Sequence, residues 1–169
     1  MNFTQYKTKE AFLKDYPITF PNIDNVGMLD LSNKGITDDD LKHIVELLGN
    51  ELSLKYLYLY NNKLTEIHPN TFKSLSSLEL LDLGVNQLTE IHPDTFEGLG
   101  SLKYLFLDNN KLTEIHPDTF EGLGSLKELN LGDNQLTQLH KSIREMLPDC
   151  SIYAGDNIEW VDDVEEEKV

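Results

Sequence analysis

Four histidines recur at one interval: His68, His92, His116 and His140 stand 24 residues apart. Stacked in a row, neighbouring imidazoles could share a metal ion or titrate together near neutral pH. A zinc site needs three or four ligands converging tetrahedrally, which a linear row does not provide. The histidines therefore read first as copies of one outward turn residue. Glu66, Glu90 and Glu114 recur in the same way. Like charges in register repel modestly, and these read as a solvated edge. The single thiol, Cys150, has no His–Asp pair specified beside it and reads as a structural cysteine rather than a nucleophile. There is no glycine-rich phosphate loop, paired-carboxylate cleft or Ser-His-Asp order. No catalytic residue, metal site or cofactor is assigned, and the chain is expected not to be an enzyme. The runner-up reading is a pH- or metal-sensitive regulatory domain built on the histidine row.

Composition narrows the partners. The chain has 169 residues, enough for one domain, with a formal net charge of −16. That acidity gives no electrostatic footprint for nucleic acid or an anionic membrane. No apolar run approaches the roughly 20 residues of a spanning helix. With 39% hydrophobic residues the chain is no disordered acidic tail. The opening MNFTQYKTKEAF lacks the basic-then-apolar shape of a secretory signal, and one cysteine allows no internal disulfide. An intracellular protein is expected.

The elements that must position these residues come from a repeat. Copies starting at Leu54, Leu78, Leu102 and Leu126 read L-x-x-L-x-L-x-x-N-x-L and step by 24 residues. A fainter copy runs from Val26 through Leu29, Leu31 and Ile36, 28 residues before Leu54, with Lys34 where the asparagine belongs. A degenerate last copy uses Ile152, Ala154 and Asn157. This pattern resembles the leucine-rich repeat family, with a first repeat similar to the ribonuclease-inhibitor-like class. The resemblance implies an α/β fold: a right-handed solenoid with a parallel concave sheet and short helices or 3-10 turns on the convex side. The expected organisation is an N-terminal cap (1–25), repeats (26–149), a degenerate last repeat and C-terminal cap (150–160), and an acidic tail (161–169).

Single copies cannot bury their apolar faces, so they must stack. In L-x-L, alternation sends Leu57, Leu81, Leu105 and Leu129 inward, with Leu59, Leu83, Leu107 and Leu131. Phe72, Phe96 and Phe120 should stack as a spine. The resemblance implies that Asn62, Asn86, Asn110, Asn134 and Asn157 turn inward to hydrogen-bond backbone. Local signals predict a helix at 8–16 capped by Thr8, with Phe12 and Leu13 inward. A second should start at Thr37 with Asp40 three residues on and stop at Gly49. Ile18, Phe20 and Ile23 are expected to close the first end. Ile143, Met146 and Leu147, then Tyr153, Ile158 and Trp160, are expected to cover the other.

Outward strand positions line the concave side, the usual binding surface of such folds. One row is Met28, Tyr56, Leu80, Tyr104, Glu128 and Ser151. The next is Asp30, Tyr58, Asp82, Phe106, Asn130 and Tyr153. The third is Ser32, Tyr60, Gly84, Asp108, Gly132 and Gly155. Aromatic residues cluster there although the repeat does not require them, and such residues dominate binding hot spots. The candidate partner-binding residues are Tyr56, Tyr58, Tyr60, Leu80, Asp82, Tyr104, Phe106, Asp108 and Asn130. The acids around them favour a partner protein with basic groups. The expected function is a monomeric protein-binding module: adaptor, competitor or inhibitor. The VEEEKV end is similar to the acidic tails of effectors secreted by bacterial type IV systems, which would place the chain in a host cytosol.

Overall fold

A computed structural model of the chain describes residues 3–19, 27–49 and 54–162. The expectations for Phe20, Ile23, Val26 and the end of the tail, 163–169, lie outside the described residues. The outward-inward alternation of each copy forms one short parallel strand: β1 (Gly27–Asp30), β2 (Leu54–Tyr58), β3 (Leu80–Asp82), β4 (Tyr104–Phe106) and β5 (Glu128–Asn130). With β7 (Ser151–Tyr153) they make a six-stranded sheet in the order β1-β2-β3-β4-β5-β7. Leu57, Leu81, Leu105 and Leu129 share one register and are buried. Leu59, Leu83, Leu107 and Leu131 follow them into the core.

The asparagine ladder replaces hydrogen bonds that tightly stacked turns cannot obtain from water. Asn86 Nδ2 donates to the Leu59 and Leu83 carbonyls at 3.1 and 3.0 Å, and its Oδ1 accepts from the Leu64 N–H at 3.1 Å. Asn62, Asn110 and Asn134 repeat the pattern. The ladder starts at Lys34, whose N–H donates to Asn62 but whose side chain supplies no amide. Asn157 is exposed and makes no ladder bond among the described residues, contrary to expectation.

On the other side of the core, the first copy carries α2 (Asp38–Leu48), after α1 (Lys9–Asp15) in the cap. Thr37 and Asp40 form the expected capping box, and Leu41, Ile44, Val45 and Leu48 are buried. Thr8 caps α1 and Phe12 is fully buried. The cap is more aromatic than expected. Phe3, Tyr6, Phe12 and Tyr16 pack ring on ring, and the Phe3 N–H donates to the buried carboxylate of Asp40.

The copies starting at Leu78 and Leu102 carry only 3-10 turns, Pro93–Phe96 and Pro117–Phe120. Phe96 and Phe120 stack 6.3 Å apart at 11°, but the stack stops short of Phe72. Gly98 and Gly122 reverse the chain at positive φ. Ser74 holds that position in the earlier copy, and there Asn70 takes the left-handed step instead, so 69–72 folds as turns.

At the far end, β6 (Gln138–His140) precedes α3 (Lys141–Met146) and pairs in parallel with β8 (Glu159–Val161). Trp160 lies under the Arg144 guanidinium, 3.7 Å from its ring centre. The last strand thus extends into what reads from sequence as tail. Tyr153 is not end cover: it is 59% exposed, on the concave row.

Candidate functional site

Strand register places the concave rows. Met28, Tyr56, Leu80, Tyr104, Glu128 and Ser151 pair across successive strands, as do Asp30, Tyr58, Asp82, Phe106, Asn130 and Tyr153. Adjacent members are therefore about 4.8 Å apart along the hydrogen-bonding direction. Tyr56, Tyr58, Leu80, Tyr104 and Phe106 are half-buried and Tyr60 is 41% exposed.

The third row continues through the turns. The Asn61 N–H donates to the Gly84 carbonyl, that of Val85 to Asp108, and that of Asn109 to Gly132, at 2.9–3.0 Å. Gly84 has a steric reason. A Cβ there would meet one carboxylate oxygen of Asp82 and one of Asp108, each at 3.2 Å, and the Tyr60 ring at 3.4 Å. The missing side chain lets these three groups close over the backbone. At Gly132 the corresponding space is filled by the ring of Tyr153.

The charge of the face differs between its two edges. Where the strands begin, Glu79 holds Lys103 at 2.6 Å and Lys55 at 3.6 Å. The hydrogen bond from Lys103 keeps the Glu79 carboxyl below its usual range. Where the strands end, Asp30, Asp82 and Asp108 have no lysine, arginine or histidine within ion-pair distance among the described residues. Burial pushes the Asp82 carboxyl up and the charges of Asp108 and Asp30 add to this, against a hydrogen bond from the Gly84 N–H. Burial also raises the Tyr58 hydroxyl, helped by Asp82.

Sequence reasoning missed one feature here. Asn33, Asn61, Val85, Asn109 and Asp133 occupy equivalent turn positions at positive φ, with Val85 at 52°. Asparagine and aspartate tolerate that region, whereas a β-branched side chain is strained in it. The signal was a valine breaking a column of asparagines.

The other singled-out residues lie elsewhere. His92 and His116 cap the 3-10 turns, their Nδ1 atoms accepting from the Asp94 and Asp118 N–H groups at 3.1 and 3.2 Å. Each also lies within 3.7–3.8 Å of that aspartate's carboxylate. No group of three His, Cys, Asp or Glu side chains among the described residues could hold a metal ion. Glu66, Glu90 and Glu114 are exposed. Cys150 is half-buried, and burial, with the charge of Glu128, pushes its thiol up to about 11. No helix among the described residues is long and apolar enough to cross a membrane. A cavity of about 640 Å³ lies on the convex side, where α2 adjoins the thinner turn at Pro69–Ser74.

The family description "Leucine rich repeat" matches residues 53–112 and 102–146, more than half of the chain. Among solved structures, a leucine-rich-repeat protein of Leptospira interrogans is 34% identical with a TM-score of 0.58, over 70% of this chain and 28% of that one. This chain thus spans under a third of that relative's length. The leucine-rich-repeat ectodomain of the receptor kinase SOBIR1 from Arabidopsis thaliana is 24% identical with a TM-score of 0.53, over 80% of this chain and 67% of that one. The second likeness is one of fold alone. No curated protein sequence matches the chain.

Proposed function

The chain belongs to the leucine-rich repeat family, and on that footing we propose that it is a non-catalytic module that holds a partner protein against its concave face. Leucine-rich repeat domains generally mediate protein–protein interaction. One observation carries the assignment to this face: Tyr56, Tyr58, Tyr60, Tyr104 and Phe106 cluster on the solvent side of the sheet, around Leu80. The core is already filled by the inward leucines, so these rings are not needed to bury it. Rigid aromatic side chains supply large contact area at small entropic cost, which makes them frequent binding anchors. The unneutralised acids at the strand ends suit a partner with basic groups. The partner would be bound by a monomer acting as adaptor, competitor or inhibitor.

The compartment proposed is a reducing cytosol, in keeping with one free thiol in the chain. A route into it as a type IV effector is tested by deleting residues 161–169 from a reporter fusion. The binding face is tested by affinity capture from lysate with the wild type, Tyr58→Glu and Phe106→Glu. Both variants should keep the circular dichroism spectrum and melting temperature nearly unchanged while losing the captured protein. Capture that survives both substitutions excludes the concave face.

A further inference from the structure

Across adjacent strands the second concave row reads Tyr58, Asp82, Phe106, so one carboxylate stands between two rings. The two ring-bearing strands lie two strand spacings apart, about 10 Å. That leaves room for one flat group above Asp82. One position further on, the carboxylate of Asp108 and the ring of Tyr60 lean in beside Asp82 over Gly84. Each carboxylate contributes an oxygen 3.2 Å from the same point, so the two oxygens approach within about 6.4 Å of one another. The chain supplies little to balance them. Among the described residues Asp82 accepts only the Gly84 N–H, and Asp108 only the Asn109 side-chain amide. The sheet lysines Lys55 and Lys103 are engaged at the opposite edge by Glu79.

We propose that this part of the concave face docks an arginine-bearing segment of the partner. Its guanidinium enters between Tyr58 and Phe106 and bridges Asp82 and Asp108. This deepens the binding-module reading and rests on it. The occupant follows from complementarity of charge and shape. A guanidinium is planar, carries five donors and stacks on aromatic faces, so it can meet two carboxylates and a ring together. An ammonium is a compact, strongly hydrated point charge and fits such a slot less well. The depth of Asp82 adds to the effect, because a half-desolvated carboxylate repelled by Asp30 and Asp108 gains most from an incoming cation. At Gly132 the chain's own Tyr153 occupies the corresponding space, so the slot is confined to the middle copies.

The probe is a random dodecapeptide library displayed on phage and panned against the whole chain. Selected peptides should share an arginine. As synthetic peptides they should lose at least tenfold in affinity when that arginine becomes citrulline, and equally on Asp82→Asn or Asp108→Asn. The lysine version should bind more weakly than arginine. Peptides that require Tyr58 but are indifferent to Asp82→Asn and Asp108→Asn overturn this inference and leave the binding-module reading standing. Peptides that survive both Tyr58→Glu and Phe106→Glu overturn the concave reading and this inference with it. Selection of arginine-free peptides, or of none, overturns the inference alone.

Discussion

Replacing Asn86 by alanine removes a side chain that serves three stretches of backbone at once. The Leu59 and Leu83 carbonyls each lose one bond but keep another, to Asn62 and Asn110 respectively. The Leu64 N–H keeps none, because Asn86 Oδ1 is its acceptor. Orphaning a buried N–H costs about 1–3 kcal/mol, and each lost carbonyl bond about 0.5–1 kcal/mol. The sum is about 3 kcal/mol, which for a chain of this size lowers the melting temperature by roughly 6–12 °C. Asn110→Ala should match it. Asn62→Ala should exceed it, because Asn62 accepts from both Lys34 and Ile36. Asn134 is half-buried, so water can replace part of its role and its loss should cost about half as much. Asn157→Ala should fall within about 0.5 kcal/mol of wild type. Thermal unfolding followed by circular dichroism reads the series. If Asn157→Ala and Asn86→Ala shift the transition equally, or Asn86→Ala leaves it in place, the ladder does not carry the turns.

Asp82→Asn should stabilise the chain at neutral pH while weakening partner binding. Because the folded chain holds this carboxyl above its usual range, its ionisation opposes folding once the pH rises past the ordinary carboxylate value. The variant's melting temperature should therefore exceed wild type at pH 7, and the gap should close on approach to pH 3. Val85→Asn replaces a strained left-handed valine with the residue used at Asn33, Asn61 and Asn109. It should gain about 1 kcal/mol, a rise of roughly 2–4 °C in melting temperature. With its thiol near 11, against an ordinary 9.0, Cys150 should react with a disulfide reagent at pH 7.5 about 100-fold more slowly than an unperturbed cysteine.

The solenoid was legible because its period is written in the residues. L-x-L alternation with a 24-residue step fixes which leucines stack, and the register follows from that alone. The three concave rows were legible for the same reason, since a strand that buries Leu57 and Leu59 must present Tyr56, Tyr58 and Tyr60. What sequence could not supply was the relation between copies off the strands. Phe72 stands outside the ring stack in the copy where Ser74 replaces the turn glycine. The Tyr16 and Phe3 rings of the cap meet through folding of segments that carry no repeat. Asp82 and Asp108 come together over Gly84, whose missing side chain leaves them room, a fact invisible until both neighbouring strands are in place. Tyr153 was readable either as end cover or as a concave residue, and strand pairing with β5 puts it on the concave row.

Site-specific photo-crosslinking tests the central claim most directly. A benzoylphenylalanine placed at Phe106, on the concave row, is compared in cell lysate with one at Glu121, exposed after the convex turn. The account predicts that a single protein, identified by mass spectrometry, is joined at position 106, that Tyr58→Glu abolishes the adduct, and that none forms at position 121. An adduct formed only at position 121, or one at 106 that persists in Tyr58→Glu, would contradict it.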